Sequence, residues 1–338
     1  MKAKSKITKA GGDYFKSEKI DFIPSGSILL DCVLGGGYAL GRVVNVVGDR
    51  SVGKTLLAIE AAANFAREYP KGLIWYREAE AAFDLSYAEL VGLPAKRVDF
   101  GPDGLDTMWD TIDAVSVDFE ECIKEAQERG VPGLYIIDSL DALSSVADMN
   151  RKAAEPGYKL EKVKLIGEMF QRNVRGQRAA NVCQLIISQV RDNIGVTYGK
   201  KYKRSGGRSL DFYASQTIYL SHRQQLARNV GALKLATGIL INARTDKNKI
   251  GRPFRNVDIP ILFEYGLDDL GACIRWLKEA NQLSALSLTE KTVQPFVAEM
   301  AKIDQATYNK RMDDVRAGVE GAWRDIEKQV TPMRRKYA

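Results

Sequence analysis

One stretch of eight residues constrains this chain more than any other: Gly48-Asp49-Arg50-Ser51-Val52-Gly53-Lys54-Thr55. The residues before it, 41–47, are largely apolar, and residues 56–68 after it carry apolar side chains at helical spacing. The pattern G-x-x-x-x-G-K-[ST] between a strand and a helix is the phosphate-binding P-loop. Its backbone N–H groups face the phosphates, the lysine reaches the β and γ phosphates, and the Thr55 hydroxyl coordinates Mg²⁺. An ordinary glycine-rich turn lacks this strand and helix context.

Two later apolar segments end in carboxylates. Residues 133–137 are followed by Asp138, and residues 72–76 lead into the acidic block at Glu78 and Glu80. The carboxyl ends of parallel strands form the edge where α/β sheets bind their ligands. An apolar strand ending in Asp is common, but together with an upstream P-loop it indicates a Walker B strand. We therefore expect Asp138 to support a magnesium ion beside Thr55.

The order of elements predicts an α/β fold with a mainly parallel, twisted sheet flanked by helices. Helices are predicted over 84–93, 107–129 and from residue 160 onward, and further strands near 182–188, 216–221, 234–243 and 257–263. We divide the chain into a basic arm (1–22), a core (23–268) and a small, mainly helical region (269–338).

Composition restricts the class of protein. The net charge of +7 and the isoelectric point near 9.0 favour a polyanionic partner. The four cysteines show no C-x-x-C spacing, which argues against zinc and against a disulfide framework. No apolar run is long enough to span a bilayer, so we expect a soluble, cytoplasmic protein without a membrane partner.

Residues 190–208 are predicted to form a long loop rich in lysine, arginine, glycine and tyrosine. Loops of this length inside a compact domain are usually functional or disordered, and this composition suits nucleic-acid binding. A solvated basic loop with only diffuse attraction is the alternative. The predicted helix from residue 160 carries Lys164 and Arg172, for which a solvated basic face is again the alternative.

From residue 23 to about residue 265 the chain resembles the RecA family of DNA strand-exchange recombinases. The resemblance rests on several blocks in the same order and with matching spacing: Ser25-Gly26-Ser27, the P-loop, Glu78-Ala79-Glu80, Asp138-Ser139, Gln189-Val190-Arg191, Ile194-Gly195-Val196, Gly206-Gly207, Phe212-Tyr213-Ala214-Ser215 and Lys247-Asn248-Lys249-Ile250. The block between Gln189 and Phe212 is much more specific than a P-loop alone.

This resemblance implies roles around ATP. Glu80 would activate the water that attacks the γ-phosphate, although a surface carboxylate is the alternative. Asp84 and Tyr87 would hold the adenine, and Gln189 would sense the γ-phosphate. Lys247 and Lys249 would reach the ATP of a neighbouring subunit, like arginine fingers in trans, unless they belong to a solvated loop.

The resemblance also implies single- and double-stranded DNA as partners and a helical filament of identical subunits. Six residues would contact the DNA backbone: Lys164, Arg172, Arg191, Gly206, Gly207 and Arg208. Ile194 would wedge between base triplets.

Some positions depart from the family pattern. The family usually has Asp-Ala-Glu-His where this chain has Glu78-Ala79-Glu80-Ala81, and Asp211 stands where a lysine is expected. Asp211 leaves one cation missing from the contacts by which the family couples neighbouring subunits, which puts part of that coupling in doubt. The arm and the basic C-terminus also differ from the bacterial pattern, which favours a phage-encoded member acting in the cytoplasm of a bacterial host.

The sequence thus predicts an ATP-dependent recombinase with DNA-stimulated ATP hydrolysis and Mg²⁺ as cofactor. Two alternatives share the core: a ring-forming helicase, and a non-catalytic protein that coats single-stranded DNA or mediates recombination. Helicases usually carry an extra N-terminal domain and lack the Gly206-Gly207 loop. The intact Lys54, Thr55, Glu80 and Asp138 argue against a degenerate ATPase.

Overall fold

A computed structural model describes residues 20–150, 160–192, 202–204 and 207–334. The strands in this part are β1 (Phe22–Ile23), β2 (Tyr38–Ala39), β3 (Val43–Gly48), β4 (Leu73–Glu78), β5 (Val98–Asp99), β6 (Gly133–Asp138), β7 (Val182–Asp192), β8 (Tyr202–Arg204), β9 (Gln216–Val230), β10 (Leu233–Asn248), β11 (Asn256–Leu262) and β12 (Gly266–Leu267). The α-helices are α1 (Ile28–Leu34), α2 (Lys54–Glu68), α3 (Leu85–Leu90), α4 (Ile112–Arg129), α5 (Val146–Met149), α6 (Leu160–Ala179), α7 (Gly207–Tyr213), α8 (Asp269–Glu279), α9 (Val293–Met300) and α10 (Gln305–Gln329). Short 3₁₀ turns occur at Ala95–Arg97, Gly104–Asp106 and Leu283–Leu286.

The main sheet has the order β12-β11-β10-β9-β3-β7-β6-β4-β5. Each neighbouring pair from β9 to β5 is parallel, whereas the pairs from β9 to β12 are antiparallel. Strands β3 and β6 are buried along their whole length, which explains their continuous apolar sequence. The predicted α/β fold with a mainly parallel sheet is confirmed.

The sheet separates two apolar clusters. One contains Phe65 of α2 with side chains of α1, α8 and α10, and the other contains Phe119 of α4 and Phe170 of α6. Helices therefore cover both faces of the sheet, and the helices after residue 268 pack on the same face as α2. In the described part of the chain, no helix combines the length and the apolar character needed to cross a membrane.

The prediction of a helix over 107–129 was wrong in its first turn, because α4 begins at Ile112. The Thr111 hydroxyl caps it, and just before this cap the Trp109 indole N–H donates to the Phe100 carbonyl at 2.8 Å. Contacts to other parts of the chain therefore hold residues 107–110 outside the helix. The helix predicted over 84–93 is likewise shorter and ends at Leu90.

The strands predicted near 216–221 and 234–243 are far longer in the structure. Strands β9 and β10 pair with each other as far as Val230 and Leu233, but β3 pairs with β9 only as far as Leu220. A two-stranded ribbon of mostly exposed residues thus extends beyond the sheet. Its side chains show no clear polar–apolar alternation, so the sequence pattern did not reveal it.

The prediction of a loop over 190–208 was wrong at both ends. Residues 190–192 of β7 pair with β8 in an antiparallel ladder, and Gly207 and Arg208 belong to α7. Ile194 and Gly206 lie outside the described residues, as does most of the predicted arm. The domain boundaries at 22 and 268 stay predictions.

Candidate active site

Strand register brings the predicted nucleotide site together. Gly48 at the end of β3 lies beside Gln189 of β7, and Glu78 at the end of β4 lies beside Asp138 of β6. Because these strands are parallel, their carboxyl ends share one edge of the sheet. The P-loop, the acidic block after β4 and the Walker B aspartate are therefore neighbours, as the sequence predicted.

The P-loop closes directly onto α2, whose first residue is Lys54. Gly53 has φ +82°, and a Cβ there would lie 2.5 Å from Cδ1 of Ile261, so this position requires glycine. Lys54 is buried and its ammonium donates to the Asp49 carbonyl at 2.6 Å. Burial lowers the pKa of Lys54, and the nearby Glu80 acts against that shift. The loop thus holds a cation with little hydration, suited to phosphate.

Asp138 is buried next to Thr55. Burial raises the pKa of Asp138 to about 6, against the hydrogen bonds that the Tyr76 and Thr55 hydroxyls donate to it. The Tyr76 hydroxyl lies 2.7 Å from Oδ2. A hydroxyl and a carboxylate side by side offer the oxygen ligands that Mg²⁺ prefers. The donor set fits the predicted ion.

Glu80 has an exposed side chain with two donors on one oxygen. Its Oε1 accepts from Nε2 of Gln189 at 3.0 Å and from the Ser139 hydroxyl. The backbone N–H of Gln189 donates to the Asp141 carboxylate at 2.7 Å. Sequence reasoning assigned no role to Ser139 or Asp141, although Ser139 directly follows the Walker B aspartate.

The predicted adenine residues lie at the start of α3. Oδ1 of Asp84 accepts the backbone N–H of Tyr87 at 2.9 Å and so caps this helix. The Tyr87 ring is half-buried and packs on the apolar cluster of α2, and burial raises the pKa of its hydroxyl. The contact of Asp84 and Tyr87 with adenine stays a prediction.

Lys247 and Lys249 both point at the carboxyl end of α7. The Lys247 ammonium donates to the carbonyls of Asp211 and Phe212 at 2.5 and 2.9 Å. The Lys249 ammonium lies 3.4 Å from the Phe212 carbonyl and 5.8 Å from the Phe212 ring centre. Carbonyls at a helix carboxyl end attract cations, so this contact orients both side chains.

The two lysines lie at the opposite edge of the sheet from the P-loop. The Lys249 N–H donates to the Ser215 carbonyl, and the Ser215 N–H donates to the carbonyl of Val43, the first residue of β3. Asn248 fixes this segment, because its buried amide donates to the Val33 and Leu34 carbonyls at the end of α1. Sequence reasoning gave Asn248 no separate role.

Of the predicted DNA contacts within the described residues, two lie on α6, two on α7 and one on β7. Lys164 and Arg172 are exposed and both lie within about 4 Å of the Glu168 carboxylate. Arg208 is exposed on α7, next to Gly207, whose φ of +59° favours glycine. Arg191 is paired with Lys203 in the β7–β8 ladder. The structure brings α6 and α7 together, and the DNA-binding role of these residues stays a prediction.

A P-loop between β3 and α2, a Walker B strand and this sheet order define a P-loop nucleotide-binding protein with a RecA-type core. A family model described as the RecA N-terminal domain matches residues 2–268. The chain is 30% identical over 281 residues to the protein RecA of Chlamydia trachomatis, covering 80% of this chain and 72% of that protein. It is 31% identical over 252 residues to the protein RecA of Thermus thermophilus, covering 74% and 69%. The chain belongs to the RecA family.

Proposed function

We propose that this chain is an ATP-dependent DNA recombinase that forms a filament on single-stranded DNA and exchanges strands with a homologous duplex. Family membership supports this role in general terms. The observation that carries the finer proposal is the separation of two groups on one sheet. Lys54, Glu80 and Asp138 share one edge, whereas Lys247 and Lys249 lie at the other. Two copies stacked head to tail bring these groups to one ATP.

ATP hydrolysis follows from the first group. The P-loop N–H groups and the Lys54 ammonium bind the phosphates. Thr55 and Asp138 would hold Mg²⁺, and the ion would supply positive charge beside the reacting phosphate. Glu80 accepts a proton from the water that attacks the γ-phosphorus, while ADP leaves with the electrons of the broken P–O bond. Gln189 contacts Glu80 and stands at the start of the 190–208 segment, so it connects the γ-phosphate with DNA binding.

The lysines of the next subunit complete the site. Their ammonium groups stabilise charge on the transferred phosphate, so hydrolysis depends on filament assembly. DNA is held through Lys164, Arg172, Arg191 and Arg208 and through the backbone at Gly206 and Gly207, while Ile194 separates base triplets. The net charge of +7 favours a polyanionic partner of this kind.

Electron microscopy with single-stranded DNA tests the proposal through Glu80→Gln. The amide has nearly the same shape as the carboxylate but is a poor base, so the variant should bind ATP, lose hydrolysis and form long-lived helical filaments. Wild-type protein should form long-lived filaments with a non-hydrolysable ATP analogue but not with ATP. Closed rings would indicate a helicase, and DNA coating independent of ATP would indicate a mediator; either result contradicts the proposal.

A further inference from the structure

The carboxylate of Glu78 is bound by three successive backbone N–H groups of its own chain. Its Oε1 accepts from Glu80 at 2.9 Å and from Ala82 at 3.3 Å, and its Oε2 accepts from Ala81 at 2.9 Å. Ala81 has φ +53°, in the left-handed region. Successive N–H groups in a turn of this kind form a concave anion-binding nest, which here is filled by a side chain.

This nest determines where Glu80 stands. The side chain of Glu80 is oriented by Gln189 and Ser139, but both hydrogen bonds act at its outer end. Its backbone belongs to the exposed turn after β4, and the Glu78 carboxylate is hydrogen-bonded to the Glu80 N–H itself. An exposed turn with a left-handed alanine has other conformations available unless such contacts exclude them.

Glu78 can act as an anchor because its own position is fixed. It is the last residue of β4 and lies opposite Asp138, and the next N–H, of Ala79, donates to the Asp138 carbonyl at 2.7 Å. On the other face of the strand, the buried Arg77 binds Asp118 with two nitrogens. The Glu78 side chain thus connects the turn to the end of β4, and β4 is itself paired with the Walker B strand.

We infer that Glu78 is a positioning residue for ATP hydrolysis: its carboxylate holds the 80–82 turn so that Glu80 faces the attacking water. The inference rests on the proposed role of Glu80. Glutamate at position 78, in place of the usual aspartate of this block, gives the carboxylate one more methylene with which to reach three N–H groups. A purely structural cap would stabilise the turn without any effect specific to the hydrolytic step.

Steady-state ATPase kinetics with saturating single-stranded DNA test this role. Glu78→Ala should lower kcat by up to about 100-fold, a loss that a misplacement of about an ångström can cause. The KM and the binding of a non-hydrolysable ATP analogue should stay unchanged. Glu78→Gln keeps one acceptor oxygen, so its kcat should lie between those of the wild type and of Glu78→Ala. Glu89→Ala, which removes an exposed carboxylate from the nearby α3, is the matched control and should keep the wild-type kcat.

A double variant separates positioning from stability. If Glu78 acts through Glu80, the residual kcat of Glu78→Ala/Glu80→Gln, measured in single-turnover experiments with excess protein, should equal that of Glu80→Gln alone. Hydrogen exchange at the Ala81 and Ala82 amides should be faster in Glu78→Ala, a readout that needs no hydrolysis. The inference is overturned if the two effects multiply, if Glu78→Ala keeps the wild-type kcat, or if exchange at these amides does not change. Wild-type hydrolysis by Glu80→Gln would instead refute the proposed function.

Discussion

At the scale of single residues, Asp269 joins the helices after residue 268 to the core. Its Oδ1 accepts the N–H of Ile28, at the start of α1, at 2.8 Å. Burial raises the pKa of Asp269 from 3.8 to about 7, against the hydrogen bond from Ile28 and the charge of Arg316. The folded protein therefore holds this proton more tightly than the unfolded chain. The resulting stabilisation is complete below about pH 4 and is lost as the pH rises through about 7.

Asp269→Asn should flatten this pH dependence. The amide oxygen can still accept the Ile28 N–H, but the side chain cannot ionise. Between pH 4 and pH 7 the free energy of unfolding of the wild type should fall, relative to that of the variant, by up to about 1 kcal/mol per pH unit. Urea denaturation at several pH values measures both slopes. If the free energy of unfolding depends on pH equally in the wild type and in Asp269→Asn, Asp269 is not the titrating group. As a control, Asp106→Asn at an exposed position should keep the pH dependence of the wild type.

At the scale of elements, strand β4 is fastened by Arg77. This side chain is only 1% exposed, lies 4.6 Å from the ring centres of both Trp75 and Trp109, and pairs with Asp118 at 2.5 Å and Asp99 at 3.1 Å. The strand is thereby connected to α4 and β5. A buried guanidinium needs all its partners, because removing one member of a buried ion pair leaves the other charge unpaired.

Arg77→Ala should lower the free energy of unfolding by about 3–5 kcal/mol, as is usual for breaking a buried ion pair. Arg129→Ala is the matched control, since Arg129 makes an equally short contact of 2.6 Å with Glu125 but is 61% exposed. We expect a loss below about 1 kcal/mol there. Guanidinium denaturation measures both values. Similar losses at the two sites would show that burial does not set the strength of the Arg77 interactions.

At the scale of the whole molecule, the sheet separates the P-loop from Lys247 and Lys249. Strand β3 has six residues, so its two ends are about 17–20 Å apart, well beyond the reach of a lysine side chain. Within one chain these lysines cannot contact the phosphates bound at the P-loop. Direct contact between these lysines and a phosphate at a P-loop would require a second copy of the chain.

Mixing two inactive variants tests this requirement. Subunits with Lys54→Ala keep both lysines, whereas subunits with Lys247→Ala/Lys249→Ala keep an intact P-loop. Where one subunit of each kind meets, the interface can contain an intact P-loop and intact lysines. Such mixed interfaces should regain DNA-stimulated hydrolysis. Adding Glu80→Gln to the second variant gives the control, in which no interface is complete. Phosphate release across mixing ratios is the measurement. Co-assembly without recovery at any ratio would count against action in trans.

The sequence by itself determined the P-loop, the Walker B strand and the acidic block after β4, because each is a local pattern whose spacing follows from the chemistry it performs. It also determined the alternation of strands and helices, since buried parallel strands read as apolar runs. Only the tertiary structure decided which strands are neighbours. Their register brings Glu80 to Gln189 and Ser139, puts Lys247 and Lys249 at the far edge and extends the β9–β10 ribbon. The reason is physical. Strand pairing depends on backbone hydrogen bonds, and the lysines donate to backbone carbonyls, so neither interaction changes the periodicity of the side chains.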